Sequence, residues 1–556
     1  PSGRSRGSHD GAASVTVRIT MPGRHRGRPE RDGRIGPGPA GWARRLLIVA
    51  VIIYAALWGW AGQRVGAAQT AWREWRLDEA HDLLSRAAFW HVRSGRVHDA
   101  LGVVDLAREH LDEADQHFAA ARRGFLHPAA FGEEAVLLGF LRSGRHEPAR
   151  RYAAHRLLIK PTPDRLFHLG VAENALNRLD DADGHLAASG AADPSFKERA
   201  GAQQAIVAAK RKTGRADHLF DRNGAPLAGI DLATGRPATV APGMAGLLDG
   251  PWGPRLAPAD ASARVRLAFD LEMQRAAIGA LGGQHGALVV LDVASGALLA
   301  AASLPALTPG PGGMAPAALS RRYEPGSIMK MVTLCAALRK GLDVDALFPI
   351  ECAGTETIDG VAFRDWVRHF KVESIEHAVA VSCNIVFGRL GREVGREALD
   401  AELRLYGFDF QSEHVEPLGA DFKYEVGTLG STDSAHPAFA IARRAEGLDS
   451  IEITAMGAAL IAAGLARGGD PPRPYMIEEK TNILGEIYDR REPGRSATTG
   501  PLAPEKAAVI LRTMKAAVTG AGGLAEGTAR RAAVDGLVAA MKTGTSGTNP
   551  PGYDAL

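Results

Sequence analysis

A seventeen-residue run without a charged side chain, LLIVAVIIYAALWGWAG from Leu46 to Gly62, constrains the layout of this chain more than any other feature. It is at the short end of what crosses a bilayer. It has no polar stripe of the kind a core helix in a water-soluble domain keeps on one side. Arg44 and Arg45 abut its start and Tyr54, Trp58 and Trp60 lie inside it, so the positive-inside rule puts the N-terminus in the cytoplasm and everything after residue 62 outside the plasma membrane. The run is longer than the apolar core of a usual cleaved signal, which favours an uncleaved single-pass anchor over residues 46–62. Ahead of it, residues 1–45 hold ten arginines against three acidic residues, with Gly and Pro throughout. They read as a disordered cytoplasmic tail. The chain opens on Pro1 and Met21 follows, so Met21 is the expected start.

A chain of 556 residues exceeds what one core supports and divides into several domains. Its net charge of +3 gives no support to nucleic-acid binding. The three cysteines, Cys335, Cys352 and Cys383, make no disulfide framework and no pair has metal-ligand spacing, so neither metal nor cofactor is expected. Cys383 reads as a small buried hydrophobe.

Between residues 67 and 200, in a helical region that runs to 215, the chain repeats itself. Ala80, Ala114, Ala149 and Ala182 recur in a "DEA"-like phrase at spacings of 34, 35 and 33, Leu-Gly pairs precede Ala114 and Ala182, and Pro161 and Pro194 follow Ala149 and Ala182 by twelve. The period resembles the tetratricopeptide repeat, whose small residues let paired helices pack closely and whose proline ends the second helix. An irregular helical bundle is the alternative. A repeat array implies a concave face for a protein partner.

Lys-Thr-Gly occurs twice. At Lys212–Gly214 it follows the helix-forming FKERAGAQQAIVAAK, so the cations suit a helix C-terminus and Gly214 stops it. At Lys542–Gly544 it follows GLVAAM and reads as a strand open to a close-lying ligand. Two further pairs share the second half: Ser327 and Lys330, three apart at the head of a helix that ends near Gly341, and Ser382 and Asn384, two apart. Three residues put Ser327 and Lys330 on one helical face. The order Ser327, Ser382 fifty-five residues later, Lys542 another 160 later is the signature set Ser-x-x-Lys, Ser-x-Asn, Lys-Thr-Gly.

With these motifs, residues 218–556 resemble a class B penicillin-binding protein. The similarity extends to LFDRNGAPLAG, FDLEMQRAAIGAL with GALVVLDVASGALLAAASLP, YEPGSIMK and EITAMGAALIAAGLARGG. The resemblance implies a multidomain chain: the anchor, an all-α repeat region over 67–215, a short pedestal-like module over 216–262, and from 263 to 556 an α/β transpeptidase domain with an antiparallel sheet flanked by helices and an all-α subdomain. It implies a peptidoglycan D,D-transpeptidase with Ser327 as nucleophile and Lys330 as its base, Ser382, Asn384 and Lys542 in proton relay and positioning, and Thr543, Gly544 and Thr545 on the terminal carboxylate of a D-Ala-D-Ala stem peptide. β-Lactams would acylate Ser327. A separate glycan polymerase and other cell-wall proteins are the implied partners. Lys330 must lose its proton to serve, and burial together with the charge of Lys542 lowers its pKa. The same acyl-enzyme also fits a D,D-carboxypeptidase, a β-lactamase or a β-lactam sensor, and an idle catalytic fold would leave a cell-wall scaffold. The chain stops eleven residues after Thr545, where the family continues with a strand and a helix, so a C-terminally truncated domain is expected.

Overall fold

The structure is a computed structural model that describes residues 39–90, 94–123, 131–240, 263–305, 307–310, 313–409, 422, 424–431, 434–491, 500–521 and 527–545. Most of the arginine-rich tail, the end of the pedestal-like segment and the residues past Thr545 lie outside the described residues.

Helix α1 (Pro39–Arg73) contains the uncharged run and overshoots it at both ends. Its first half is bare of protein contact: Leu46, Leu47, Ile48, Val51, Ile52, Ile53 and Tyr54 are all exposed. It is the one helix among the described residues long and apolar enough to cross a membrane. Its last turns behave differently. Ala61, Val65, Ala68 and Ala71 are buried, and Trp72 stacks on Phe131 at 5.3 Å. The expected break between an anchor ending at 62 and a helical region beginning at 67 is therefore absent, because the small residues after Gly62 continue the helix and pack it onto its neighbours.

Helices α2 (Leu77–Phe89), α3 (Ser94–Ala107), α4 (Leu111–Arg122), α5 (Glu133–Arg142), α6 (His146–Ile159), α7 (Pro163–Ala175), α8 (Leu179–Ala192) and α9 (Lys197–Thr213) follow. The end of α1 pairs with α2, α3 with α4, α5 with α6 and α7 with α8. The four units share one turn. A left-handed residue ends the first helix, at Trp75, Glu109, Gly144 and Asn177. The next amide then reaches back to a carbonyl five residues earlier, as in Arg76 N to Ala71 O (2.8 Å) and Arg178 N to Glu173 O (2.9 Å). The four periodic alanines each occupy the fourth position of their helix and are fully buried. A Cβ on Gly102 would lie 2.3 Å from the Phe118 ring and one on Gly170 2.7 Å from Leu186, so these glycines set the closest helix approaches. Pro161 and Pro194 follow the ends of α6 and α8. Helix α9 closes the stack at Gly214, whose amide bonds to Lys210 O at 2.9 Å, and the first Lys-Thr-Gly is a helix cap.

The chain then enters a six-stranded sheet. Strands β1 (Arg215–Phe220), β2 (Pro226–Asp231) and β3 (Pro237–Thr239) lie on one side of β4 (Arg264–Leu267), and strands Ile477–Thr481 and Ile487–Arg490 lie on the other. All pairs are antiparallel except β1 with β4. This corrects one expectation. The sheet draws strands from both sides of residue 262, so the pedestal-like stretch is no separate module. The physical reason is that β1 would otherwise present an open edge, which β4 covers. The helical stack docks on the same sheet: Gln203 donates to Ile483 O (2.7 Å), and Arg142 makes two 2.7 Å bonds to Glu486.

Strands β5 (Gly286–Leu291) and β6 (Leu298–Leu304) form the antiparallel hairpin expected around Ser295 and Gly296, and among the described residues they pair with no further strand. Behind it, helix Met329–Lys340 runs through the main core, every residue from Met329 to Leu338 buried. Helices Ile375–Ala380, Asn384–Val394, Arg396–Leu405, Pro437–Ala445, Ala455–Ala466 and Pro504–Thr519 belong to this half, and it is at the head of the central helix that the motif residues gather.

Candidate active site

Ser327 lies in a single tight turn, Gly326–Ile328, that feeds directly into helix Met329–Lys340. Gly326 has φ of +55°, and a Cβ there would fall 2.4 Å from Thr545 O. Gly447, at φ +88°, faces it from the other side: its carbonyl accepts the Gly326 amide at 3.0 Å, and its own Cβ would lie 1.9 Å from Gly326 O. Gly326 and Gly447 are thus packed at backbone distance, and only glycine fits at either position.

One turn on, Lys330 is fully buried. Its Nζ lies 2.9 Å from Ser327 Oγ, 2.7 Å from Ser382 O, 3.2 Å from Ser382 Oγ and 2.5 Å from Asn384 Oδ1. Burial lowers its pKa to about 8, against the pull of the Glu446 and Asp365 carboxylates. A lysine at that value is partly neutral near neutral pH, as a base for a serine hydroxyl must be.

Ser382 is held at φ of +56°, in the sparsely populated left-handed region, at the corner between helices Ile375–Ala380 and Asn384–Val394. Two backbone bonds fix that corner: Ser382 N to Val379 O (3.1 Å) and Cys383 N to Ala378 O (2.9 Å). The corner turns the Ser382 hydroxyl toward two amines, because Lys542 Nζ also donates to it at 2.9 Å and to Thr543 O at 2.7 Å. Lys542 is only part-buried as a residue, yet its amine end is enclosed. Desolvation first and the charge of Lys330 second push it well below the ordinary lysine value. The sequence reading had burial and the charge of Lys542 together depressing Lys330; burial does so, while the crowding of charge falls on Lys542 instead.

Gly544 packs against Pro325 O and Ile328, Thr543 Oγ1 lies 3.2 Å from Thr528 Oγ1, and Thr545 is exposed beside Gly326. The expected Lys-Thr-Gly strand is not formed: among the described residues, 537–545 enter no ladder, and Met541 N to Met514 O (3.0 Å) is the tie that holds the segment to the helix before it. A strand needs a partner for its backbone groups, and β5–β6 does not supply one here.

Two groups near the site had no signal in the sequence. Glu446, between Ala445 and Gly447, is buried and raised to about 7 by desolvation, with Lys330 opposing. Beneath Ser382, one oxygen of Asp365 collects the Asn384 amide (3.0 Å), Cys383 Sγ (3.0 Å), His369 Nδ1 (3.2 Å) and Cys352 Sγ (3.4 Å). Hydrogen bonds from His369, Cys383 and Asn384 hold that carboxyl at about 2 although burial works against them. Linear spacings of 13, 4 and 14 residues gave no ligand pattern, and only the fold brings the four side chains together.

A buried lysine on a serine hydroxyl, with a second serine and a second lysine completing the polar circuit, is the arrangement that serine acyl transfer requires. Residues 286–555, just under half of the chain, match the family described as the penicillin binding protein transpeptidase domain. That stretch is similar to the transpeptidase domain of penicillin-binding proteins. The curated Mycobacterium tuberculosis protein named peptidoglycan D,D-transpeptidase PbpA is 28% identical over 310 residues, 49% of this chain and 57% of that protein's own length. Among solved structures, the D,D-transpeptidase domain of a peptidoglycan glycosyltransferase from Eggerthella lenta superposes with a TM-score of 0.52 at 22% identity, covering 60% of this chain and 88% of that one. Penicillin-binding protein 3 of Mycobacterium tuberculosis gives 0.50 at 21%, covering 61% and 83%. At those identities the two structures speak for the fold.

Proposed function

We propose that this chain is a membrane-anchored D,D-transpeptidase that cross-links peptidoglycan stem peptides through an acyl-enzyme on Ser327. The observation that carries the reading is the 2.9 Å approach of the buried Lys330 amine to the Ser327 hydroxyl. Lys330 takes the hydroxyl proton as Ser327 Oγ attacks the carbonyl carbon between the last two D-alanines. The oxyanion faces the backbone amides of Ser327 and Thr545, donors worth about 3–4 kcal/mol each in such sites. Ser382, flanked by both lysine amines, passes a proton to the departing nitrogen, and the carbon–nitrogen bond breaks to release D-alanine. Lys542, Thr543, Gly544 and Thr545 hold the terminal carboxylate, and Asn384 positions the peptide. An amine of a neighbouring stem then attacks the ester, gives up its proton and frees Ser327. A β-lactam enters the same sequence and stays on the serine.

Helix α1 anchors the chain in the plasma membrane with the catalytic half outside, which its bare apolar first half and the preceding arginines support. The four helix–turn–helix units form a tetratricopeptide-like array that recruits a cell-wall protein, and glycan polymerisation falls to a separate membrane partner.

The test is transpeptidation by the purified full chain in detergent, with a D-Ala-D-Ala stem peptide as donor and a second stem amine as acceptor, followed by mass spectrometry. A cross-linked dimer that disappears in Ser327→Ala supports the reading. Release of D-alanine without a dimer means a carboxypeptidase, rapid penicillin hydrolysis means a β-lactamase, and full in vivo complementation by Ser327→Ala means a scaffold.

A further inference from the structure

Helix α2 closes on two aromatic side chains that face outward, Phe89 at 74% exposure and its C-cap residue Trp90 at 51%. Their rings meet edge to face, with centroids 5.5 Å apart. Apolar side chains scattered over a surface are ordinary, whereas adjacent aromatics that continue the apolar surface of a neighbouring helix mark a contact face. The neighbouring helix here is α1. Its last turns and α2 form one hairpin about the turn at Trp75, closed by Arg76 N to Ala71 O at 2.8 Å. Buried stripes run in step along the two arms, Ala71, Ala68 and Val65 on α1 and Ala80, Leu84 and Ala87 on α2, all in one core. Each helical residue rises about 1.5 Å, so equal counts outward from the turn put Phe89 and Trp90 level with Trp60 and Ala61. Those two are among the last residues of the uncharged run.

The lengths decide what lies at that level. Seventeen residues of helix span about 25 Å, against about 30 Å of hydrocarbon in a bilayer, so the run is about 5 Å short. A short span thins the bilayer around it or draws flanking groups into the interface. The flanking groups here suit an interface. Trp58 and Trp60 stand on α1 and Phe89 and Trp90 beside them on α2. The first charges come about one turn farther out, with Arg64 over the Trp60 ring at 5.2 Å and Arg86 paired with Asp82 at 2.6 Å. Aromatic rings at the boundary with cations just beyond them are the pattern of a membrane–water interface.

We propose that Phe89 and Trp90 insert into the outer face of the membrane that α1 crosses, so that the helical stack stands on the lipid through α2 as well as through α1. The proposal rests on α1 spanning the membrane and is independent of the chemistry at Ser327. Lipid is the occupant because the two rings continue the surface of a membrane-crossing helix at the height where that helix leaves the hydrocarbon. One helix alone leaves the stack free to swing about its axis; a second foothold beside it removes that freedom. The stack in turn holds the six-stranded sheet through Gln203 to Ile483 O and Arg142 to Glu486, so the foothold sets the direction in which the catalytic half leaves the membrane.

The test uses the full chain in nanodiscs of phosphatidylethanolamine and phosphatidylglycerol, spin-labelled at one introduced cysteine at a time, the three native cysteines being buried. The sites are Phe89→Cys, Trp90→Cys, Ile52→Cys on the exposed half of α1, and Asp78→Cys, exposed at the turn end of α2. Power saturation compares collisions with oxygen, which concentrates in lipid, and with a nickel chelate, which stays in water. Labels at 52, 89 and 90 should favour oxygen, and the label at 78 the nickel chelate. On unlabelled protein, lipids brominated near the headgroup end of their chains should quench the wild type more than Trp90→Phe, which decides the matter if a cysteine variant does not fold. Labels at 89 and 90 that meet nickel as freely as the label at 78, with 52 in lipid, overturn the proposal and leave the anchor standing. A label at 52 in water overturns the anchor and the proposal with it. Dipolar broadening between identical labels at 89 means that a second copy covers this end, and overturns the assignment to lipid.

Discussion

Gly447 offers a way to move Ser327 without touching a polar group of the site. Its φ of +88° disfavours any side chain, and a Cβ would sit 1.9 Å from Gly326 O and 2.8 Å from Met329 Cγ. Gly447→Ala therefore has two costs. The backbone conformation alone costs about 1–2 kcal/mol. The overlap adds about 1–3 kcal/mol, as overpacking in a tight interior does. To restore ordinary contact the Gly326 carbonyl must retreat by ~1.5 Å, and it is bonded to the residue that carries the nucleophile. A displacement of about 1 Å at reacting groups costs about 100-fold in rate. Gly485→Ala isolates the first cost, because Gly485 has φ of +80° and nothing within 4 Å of its would-be Cβ. The assay is the second-order rate of acylation by a fluorescent penicillin, with melting temperatures for both variants. Gly485→Ala should melt lower and acylate normally. Gly447→Ala should melt lower still and acylate at least about 100-fold more slowly. Wild-type acylation by a folded Gly447→Ala would show that the turn at Ser327 does not depend on this contact.

The remaining predictions address other parts of the chain. Lys330, lowered to about 8, is active as the free base, so acylation should rise about tenfold per pH unit below that value and level off above it; a flat profile from pH 6 to 8 contradicts this. Gly102→Leu drives a side chain into the Phe118 ring and should lower the melting temperature of the helical stack while penicillin labelling persists, since the glycine is remote from Ser327. Ile52→Asp with Ile53→Asp places charge on the bare half of α1 and should shift the chain from membrane to soluble fractions on cell fractionation. Glu486, held at about 2 chiefly by its bond to Arg142, stabilises the docked helical stack while it is ionised. Its folded pKa lies below the unfolded value of 4.5, so the contribution is complete above 4.5 and fades as the pH falls toward 2. Both side chains are about half exposed, so Glu486→Gln should cost under about 1 kcal/mol by thermal melting at neutral pH and less in acid.

Much of the site was legible because it depends on short, local spacings. Three residues from Ser327 to Lys330 are one helical turn, and two from Ser382 to Asn384 are one corner; neither needs the rest of the fold to be recognised. The helical character of the N-terminal region was legible for the same reason, since Ala80, Ala114, Ala149 and Ala182 occupy equivalent positions in successive hairpins. What stayed hidden arises from long-range contact. Asp365 and Cys352 carry no pattern until a pair of short strands brings them under Cys383. Glu446 reads as an ordinary charged residue at the end of a helix, and only burial beside Lys330 makes it unusual. The six-stranded sheet was missed because its outer strands are contributed by residues 477–490, some 210 positions after β4. The Lys-Thr-Gly segment reads as a strand from the short apolar run GLVAAM ahead of it, but ladder formation depends on a neighbour that no local pattern guarantees.

The central claim is that Lys330 makes Ser327 the nucleophile. Its most direct test is to trap the full chain with a penicillin, digest it and locate the adduct by tandem mass spectrometry. The account predicts a covalent adduct on Ser327 in the wild type, none in Ser327→Ala, and strongly slowed formation in a folded Lys330→Ala. An adduct on any other residue, or one that forms at the wild-type rate without Lys330, would contradict it.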